Sequence, residues 1–301
     1  MPTPTVVIAT RDRREELLHT LERLAALPEA PAVVVVDNGS RDGTPAAVRA
    51  ARPRVEVIEL GEDRGAAART AGVLRAGGPY VAFCDDDSWW APGALARAAA
   101  LLDEHPAVGL IAGRVLLPGG RVDPTCDLMA GSPLGSRPGL PGPRVLGFIA
   151  CGAVLRRDAY LATGGFHPRW GIGGEERPLA AMLADRGWDL VHVPAVVAHH
   201  HPSGRRDRER RVAVAARNDL WAAWTLRPAR DAVAETAAAV LAARDRAHRR
   251  GLLDAIGGLR WALRRRRPVG PRVAAELALV SPPTSGRRSG SRARSRRPAR
   301  P

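Results

Sequence analysis

The chain has 301 residues, enough for one large domain or two modest ones around a substantial core, and its 45% hydrophobic and 26% charged residues exclude a wholly disordered polymer. The formal charge is +15 with no Lys, and seven Arg and no acid fall within residues 281–301. Half of the excess charge thus sits in a short tail, and Arg-rich, Ala-rich usage fits GC-rich coding, so basicity is poor support for a nucleic-acid partner.

In chain order, the first apolar run is Thr5–Thr10 (TVVIAT), followed by a helix carrying Leu17, Leu18, Leu21, Leu24 and Ala25 at helical spacing and ending at Pro28. Ala32–Val36 precedes a helix over Thr44–Ala51, Val55–Leu60 a helix over Gly65–Ala76, and Tyr80–Cys84 a helix opened by Pro92, with Leu95, Ala99 and Leu102 on one face. Continuous β-branched runs alternating with helices predict strands buried on both faces of a mostly parallel, Rossmann-like α/β sheet flanked by helices.

Beyond residue 112 the pattern is less regular. Val115–Val122 reads as a hairpin turning at Gly119–Gly120, residues 131–144 as a Gly/Pro-rich loop, and Val145–Leu155 as a central strand. A helix over Arg177–Arg186 and a strand over Asp189–Val193 follow. The expected division is an α/β domain over 1–204 (halves 1–112 and 113–204), a helical extension over 205–280 with helices at 205–226, 229–250 and 252–266, and a disordered tail, 281–301. Cys84, Cys126 and Cys151 form neither a metal pair nor a disulfide framework, which favours a reducing compartment. The N-terminus lacks a signal-peptide layout and no run reaches the roughly 20 apolar residues that span a bilayer, so a cytoplasmic location is expected.

Ligands of open α/β sheets bind outside the carboxyl ends of the strands. Those ends carry Thr10-Arg11-Asp12, then Asp37-Asn38-Gly39-Ser40, then Asp85-Asp86-Asp87. Three adjacent carboxylates repel one another unless a cation sits among them, and in an extended segment Asp85 and Asp87 point the same way, towards one shared hard divalent ion; a capped turn is the bland alternative. Asp37 is either ordinary turn chemistry or an acceptor for a base or ribose. Gly61–Gly72 places small residues at a helix start, with Arg69 one turn in and within reach of a phosphate. Glu175-Glu176 either open a helix favourably or supply a general base at a glycine-flexed loop. His199-His200-His201 form a surface turn or donate one neutral imidazole to the metal. Trp89-Trp90, beside the acids, are core or an acceptor platform.

Six stretches in order, VVIATRDR (6–13), VVVVDNGSRDGT (33–44), RGAAARTAG (64–72), FCDDDSWWAPGAL (83–95), GGFHPRWGIGGEE (164–176) and VPAVVAHHH (193–201), resemble the family-2 glycosyltransferases, inverting nucleotide-sugar enzymes of GT-A fold, over about residues 3–225. The resemblance implies that Thr10, Arg11 and Asp37 line the nucleotide and that Arg69 steadies its pocket. It makes Asp85, Asp86 and Asp87 the D-x-D-type element for ribose and Mg2+ or Mn2+, with His199 contacting metal or diphosphate. It also puts Glu176, or its neighbour Glu175, where the family has its catalytic Asp. The chain departs from the family in having Glu for that Asp, and Thr70 where Asn is common. The implied reaction moves a sugar from a nucleoside-diphosphate sugar to a saccharide or lipid-linked hydroxyl, in envelope polysaccharide or glycoconjugate synthesis. The Arg-rich helices beyond 205, with their apolar stripe, either pack on the catalytic domain or rest peripherally on the inner membrane face, where lipid-linked acceptors lie. Two rivals remain at this stage. A nucleotidyltransferase would carry a Gly-rich first loop with a Lys, where this chain has TRDRREE. A nucleic-acid-binding protein would need stacking aromatics, which make up only 4%.

Overall fold

Strand and helix alternate through the first hundred residues of the computed structural model, which describes residues 3–202 and 208–280. The strands are β1 (Thr5–Thr10), β2 (Val33–Asp37), β3 (Glu56–Glu59), β4 (Tyr80–Asp85), β5 (Ser88–Trp90), β6 (Val108–Leu116), β7 (Ala153–Arg156) and β8 (Asp189–His200). The helices are α1 (Arg14–Ala25), α2 (Thr44–Ala51), α3 (Ala68–Arg75), α4 (Ala94–Glu104), α5 (Pro124–Ala130), α6 (Arg157–Ala162), α7 (Glu176–Asp185), α8 (Arg208–Leu226), α9 (Ala229–Ala242), α10 (Arg246–Arg264) and α11 (Pro271–Val280).

One sheet runs in the order β3-β2-β1-β4-β7-β6-β8-β5. β1, β2, β3 and β4 pair in parallel, as do β6 and β8, whereas β7 and β5 run antiparallel to their neighbours. Strand alternation sends Val6 and Ile8 into a core with Leu17 and Leu21 of α1 and Leu95 and Leu102 of α4. It sends Val7 to the other face, with Phe83, Tyr160 and Leu179. Burial on both faces is why these strands read as unbroken apolar runs.

Several expectations are corrected here. The stretch Val145–Leu155 is irregular through Ile149, passes through a 3-10 turn at Ala150–Gly152 and only then becomes β7. The hairpin shrinks to a single Leu116–Val122 bridge, because a 3-10 turn at Pro118–Gly120 separates its arms. The strand expected to stop at Val193 continues to His200. Pro194 cannot donate to a ladder, and the register slips there, so that Gly113 faces Val193 but Arg114 faces Val197. Gly113 makes room for the bulge, since a Cβ on it would lie 2.5 Å from the Val196 carbonyl oxygen.

The helices after residue 208 pack back on this body. Gly258 lets α10 lie against α8: a Cβ there would fall 2.0 Å from the Trp221 ring, whose Nε1 donates to the Ala255 carbonyl at 2.9 Å. On α11, an element absent from the sequence reading, Glu276 accepts two hydrogen bonds from Arg144 (2.9 and 3.0 Å) and so ties the C-terminal helix to the loop before β7. The expected boundary at 204/205 and the tail 281–301 lie outside the described residues.

Candidate active site

The register of the sheet brings the polar strand ends together. Thr10 lies opposite Asp37 across β1 and β2, and Ala9 lies opposite Asp85 across β1 and β4. Asp37 takes an Asx turn: the backbone N–H groups of Gly39 and Ser40 donate to its Oδ2 at 3.1 and 3.0 Å. Its buried Oδ1 has no partner. Beside it, Asn38 donates to the Gly65 carbonyl and accepts from the Arg64 N–H, which fixes the loop leading into α3.

The Asp triplet is a turn, not an extended segment. Asp85 ends β4, and Asp86 and Asp87 form the turn into β5. Ser88 Oγ closes it by accepting from the Asp85 N–H at 2.7 Å. Asp86 points back beneath β1, where Thr10 Oγ1 donates to its Oδ2 (2.9 Å) and Arg13 Nε lies 2.8 Å from its Oδ1. Thr10 and Asp86, both expected to touch the ligand, therefore hold each other. Arg13, which the sequence reading passed over, also donates to Asp87 Oδ2 at 2.8 Å. Arg11 sits at the exposed rim, 2.6 Å from Asp63.

The His triplet is resolved by alternation along β8. His200 turns inward, with Nε2 3.3 Å from Asp87 Oδ1 and 3.9 Å from Asp85 Oδ2. His199, the residue expected at the metal, is on the other side of the strand, its ring stacked on Trp89 at 5.6 Å. A two-residue side-chain period makes one His of an adjacent pair the wrong one, and the bulge at Pro194 sets which. Trp90 is fully buried core.

Arg69 connects the strand-end acids to the paired glutamates. Its Nη2 is 2.5 Å from Asp85 Oδ1, and its guanidinium lies 5.8 Å from the Phe83 ring centre and 5.9 Å from that of Phe166. Burial disfavours its charge, but the carboxylates of Asp85, Glu175 and Glu176 outweigh that and hold it above the ordinary Arg value. Its Nε and Nη1 are buried without a partner. The glycine-rich loop before α7 meets this region through the Ala66 N–H, which donates to the Gly171 carbonyl at 3.1 Å. Only Gly serves at position 65, where φ is +55° and a Cβ would sit 2.8 Å from Gly171 Cα. From outside, Asn218 of α8 donates to the carbonyls of Trp170 and Gly173 at 2.7 Å each. The helical extension thus shapes the loop that presents the glutamates. Glu175 accepts from the Gly173 N–H through Oε2 and is buried; Glu176, the first residue of α7, is half-buried.

Asp37, Asp86, Asp87, Glu175 and Arg69 are each no more than 6% exposed. With Asp85 and Glu176 the site gathers six carboxyl groups, against the guanidinium groups of Arg13 and Arg69. Such an excess pushes acids towards their neutral forms. Burial, despite Arg13, pushes Asp86 up to about 7. Burial raises Glu175 as well, and burial together with repulsion from Glu175 raises Glu176. A divalent cation fits this donor set: ligand atoms of Asp85, Cys151 and His200 lie within 4.8 Å of one another, and Asp87 adjoins them.

These raised values set the pH dependence of stability. Between the ordinary value of 3.8 and about 7, folded Asp86 keeps a proton that the unfolded chain has lost. The contribution of Asp86 to stability therefore falls as pH rises through that window, with the two glutamates acting in the same direction and His167, His192 and His199, which burial holds below 6.5, acting in the opposite one. In chelator, the midpoint of thermal unfolding of Asp86→Asn should gain on that of the wild type as pH rises from about 4 to about 7, and parallel wild-type and variant profiles would contradict the buried-acid account.

Solved structures that share this architecture include glycosyltransferases. A mannosyltransferase from Pyrobaculum calidifontis, solved with GDP-Man and Mn2+, shares 24% identity over 92% of this chain and 74% of its own, at a TM-score of 0.60. Staphylococcus aureus TarS 1-349, solved with UDP-GlcNAc, shares 17% over 91% and 83%, at 0.61. The fold is that of the GT-A glycosyltransferases. The chain belongs to glycosyltransferase family 2: the family model described as Glycosyl transferase family 2 matches residues 5–162. An N-acetylglucosaminyl-diphospho-decaprenol L-rhamnosyltransferase of Mycobacterium tuberculosis is 29% identical over 237 residues, covering 66% of this chain and 77% of that protein. The succinoglycan biosynthesis protein ExoO of Rhizobium meliloti is 38% identical over 100 residues, 32% of this chain and 29% of that protein. Family membership decides for the glycosyltransferase reading over the nucleotidyltransferase one.

Proposed function

We propose that the chain moves a sugar from a nucleoside-diphosphate sugar to an acceptor hydroxyl, inverting the anomeric carbon. The observation that carries this is the surplus of carboxyl groups at the carboxyl edge of the sheet, where Asp85, Glu175 and Glu176 surround Arg69 and Asp86 and Asp87 surround Arg13, so that five acids face two guanidinium groups and a cation would relieve the excess. Asp85, Asp87 and His200 would hold a divalent ion. When bound, it supplies positive charge beside the departing diphosphate. Arg69 donates to the same diphosphate through Nε and Nη1, which have no partner within the protein. Asp37 Oδ1 accepts from the base. A Glu176 carboxylate oxygen takes the acceptor's proton as the hydroxyl attacks the face opposite the leaving group.

The rhamnosyltransferase relative supports a lipid-diphosphate-linked sugar as acceptor and a role in envelope polysaccharide synthesis. Thermal unfolding with a panel of nucleoside-diphosphate sugars, with and without Mn2+ or Mg2+, tests the donor class, since a ligand of the native state alone stabilises by RT ln(1 + [L]/Kd). The expected result is protection by one donor that needs the metal; no protection by any donor counts against the reading.

An acceptor of that kind also places the enzyme at a membrane surface. Among the described residues no helix is long and apolar enough to cross one. On α10, however, Leu253, Ile256 and Leu263 are exposed alongside Arg249, Arg260 and Arg264. This mixed apolar and cationic face suits anionic headgroups. Each Arg near such a surface contributes about 1 kcal/mol, so Arg260→Ala with Arg264→Ala should lower partitioning onto phosphatidylglycerol vesicles by roughly 30-fold. Equal binding to neutral phosphatidylcholine vesicles would refute the electrostatic part.

A further inference from the structure

We propose that Cys151 is a thiolate ligand in the cation site, so that thiophilic divalent ions such as Zn2+, Co2+ and Cd2+ bind there more tightly than Mg2+ or Mn2+ and shut the enzyme down. The inference rests on the reading of Asp85, Asp87 and His200 as the cation site and adds a donor of a different chemical kind. Cys151 is buried in the 3-10 turn immediately before β7, and its sulfur, a carboxylate oxygen of Asp85 and a ring nitrogen of His200 lie within 4.8 Å of one another. The three cysteines differ in what their sulfurs meet. Cys84 Sγ lies 2.8 Å from the Ser88 carbonyl oxygen, and Cys126 Sγ accepts from the Val115 N–H at 3.2 Å. The sulfur of Cys151 has no hydrogen-bond partner among the described residues. A second observation points to a ligand beside the same place: two nitrogens of Arg69, buried and next to Asp85, also lack partners and call for an anion, such as one that a cation bound there would bring with it.

The chemistry of the donors decides which ions this favours. Mg2+ requires oxygen ligands and sheds water reluctantly, so it gains nothing from a thiol. Zn2+ and Co2+ favour a mixed set of sulfur, nitrogen and oxygen. On binding, the S–H bond of Cys151 breaks, a metal–sulfur bond forms, and the proton leaves to solvent. With Asp85, Asp87, His200 and Cys151 all engaged, a four-coordinate ion has no open position for the diphosphate. Mn2+, held through oxygen and nitrogen, keeps its remaining positions for the donor.

The test uses the metal-free full-length protein, its Cys151→Ser variant and Cys84→Ser as a control. Co2+ should produce a thiolate-to-metal charge-transfer absorption in the wild type and the control but not in Cys151→Ser. Zn2+ affinity should fall at least about tenfold in Cys151→Ser, with Mn2+ affinity changed by less than about twofold. A wild-type Co2+ complex without that absorption overturns the proposal even if the variant fails to fold. Unchanged Zn2+ affinity in a folded Cys151→Ser that still binds Mn2+ overturns it too, and leaves the cation site standing. Absence of binding by any of the three ions to the wild type removes both.

Discussion

Glu176→Gln should lower turnover by about 10²- to 10⁴-fold, the usual span of a general base, while leaving donor affinity nearly unchanged. The amide preserves the shape and hydrogen-bonding reach of the side chain and removes only its capacity to take a proton. Glu176 is favoured over Glu175 on two structural grounds. An oxygen of Glu175 is committed to the Gly173 N–H and the residue is buried, whereas Glu176 opens α7 half-buried. Their proximity also makes a pH prediction. The base must be ionised to act, and burial and Glu175 both resist that, so activity should rise with pH along a limb above the ordinary Glu value of 4.5. Glu175→Gln removes the repulsion and should move the limb to lower pH with much of the turnover retained. A Glu175→Gln enzyme as inactive as Glu176→Gln, or a Glu176→Gln enzyme of normal kcat, would reverse or remove the assignment.

What was legible in the sequence follows from what each signal depends on. The first four strands and the helices between them were readable because burial on both faces demands continuous apolar runs, and helical spacing is a local property. β1 and α2 appear with the expected bounds. Elements whose existence depends on a partner distant in sequence were not readable. β5 is a three-residue edge strand that exists because β8 runs beside it, and β8 reaches it only by bulging past Pro194. That bulge decides that His200 and not His199 faces Asp87, a fact no reading of three consecutive histidines supplies. Arg13 was within reach of sequence reasoning: it stands three residues after Thr10, where a side chain turning back over the strand end meets the next strand's acids. Cys151 was not, since the expected strand over 145–155 replaced the short turn that presents it. Asn218 belongs to a helix whose sequence shows only an Ala- and Arg-rich pattern, and its role at the Gly173 carbonyl depends entirely on tertiary packing.

Asp87→Ala should cost turnover at least as much as the base variant and should also abolish the protection that Mn2+ gives against unfolding, so the two variants are separable by binding. Asp87 lies between Arg13 and His200: its Oδ2 accepts from Arg13 at 2.8 Å and its Oδ1 is 3.3 Å from His200 Nε2. Removing it takes away one anionic oxygen donor and the carboxylate nearest to His200 Nε2. The remaining Asp85 is already held by Arg69 at 2.5 Å. A divalent ion left with that carboxylate and one imidazole loses much of the charge that binds it. Arg13 keeps Asp86, so the turn beneath β1 should persist and the variant should fold, which circular dichroism would check. Donor protection should then fail with the metal, whereas Glu176→Gln retains it, because Asp87 acts on the leaving diphosphate and Glu176 on the acceptor. If Asp87→Ala still shows Mn2+-dependent protection by a nucleoside-diphosphate sugar, the cation is held elsewhere, and the acids at the end of β4 serve only to fix Arg13 and Arg69.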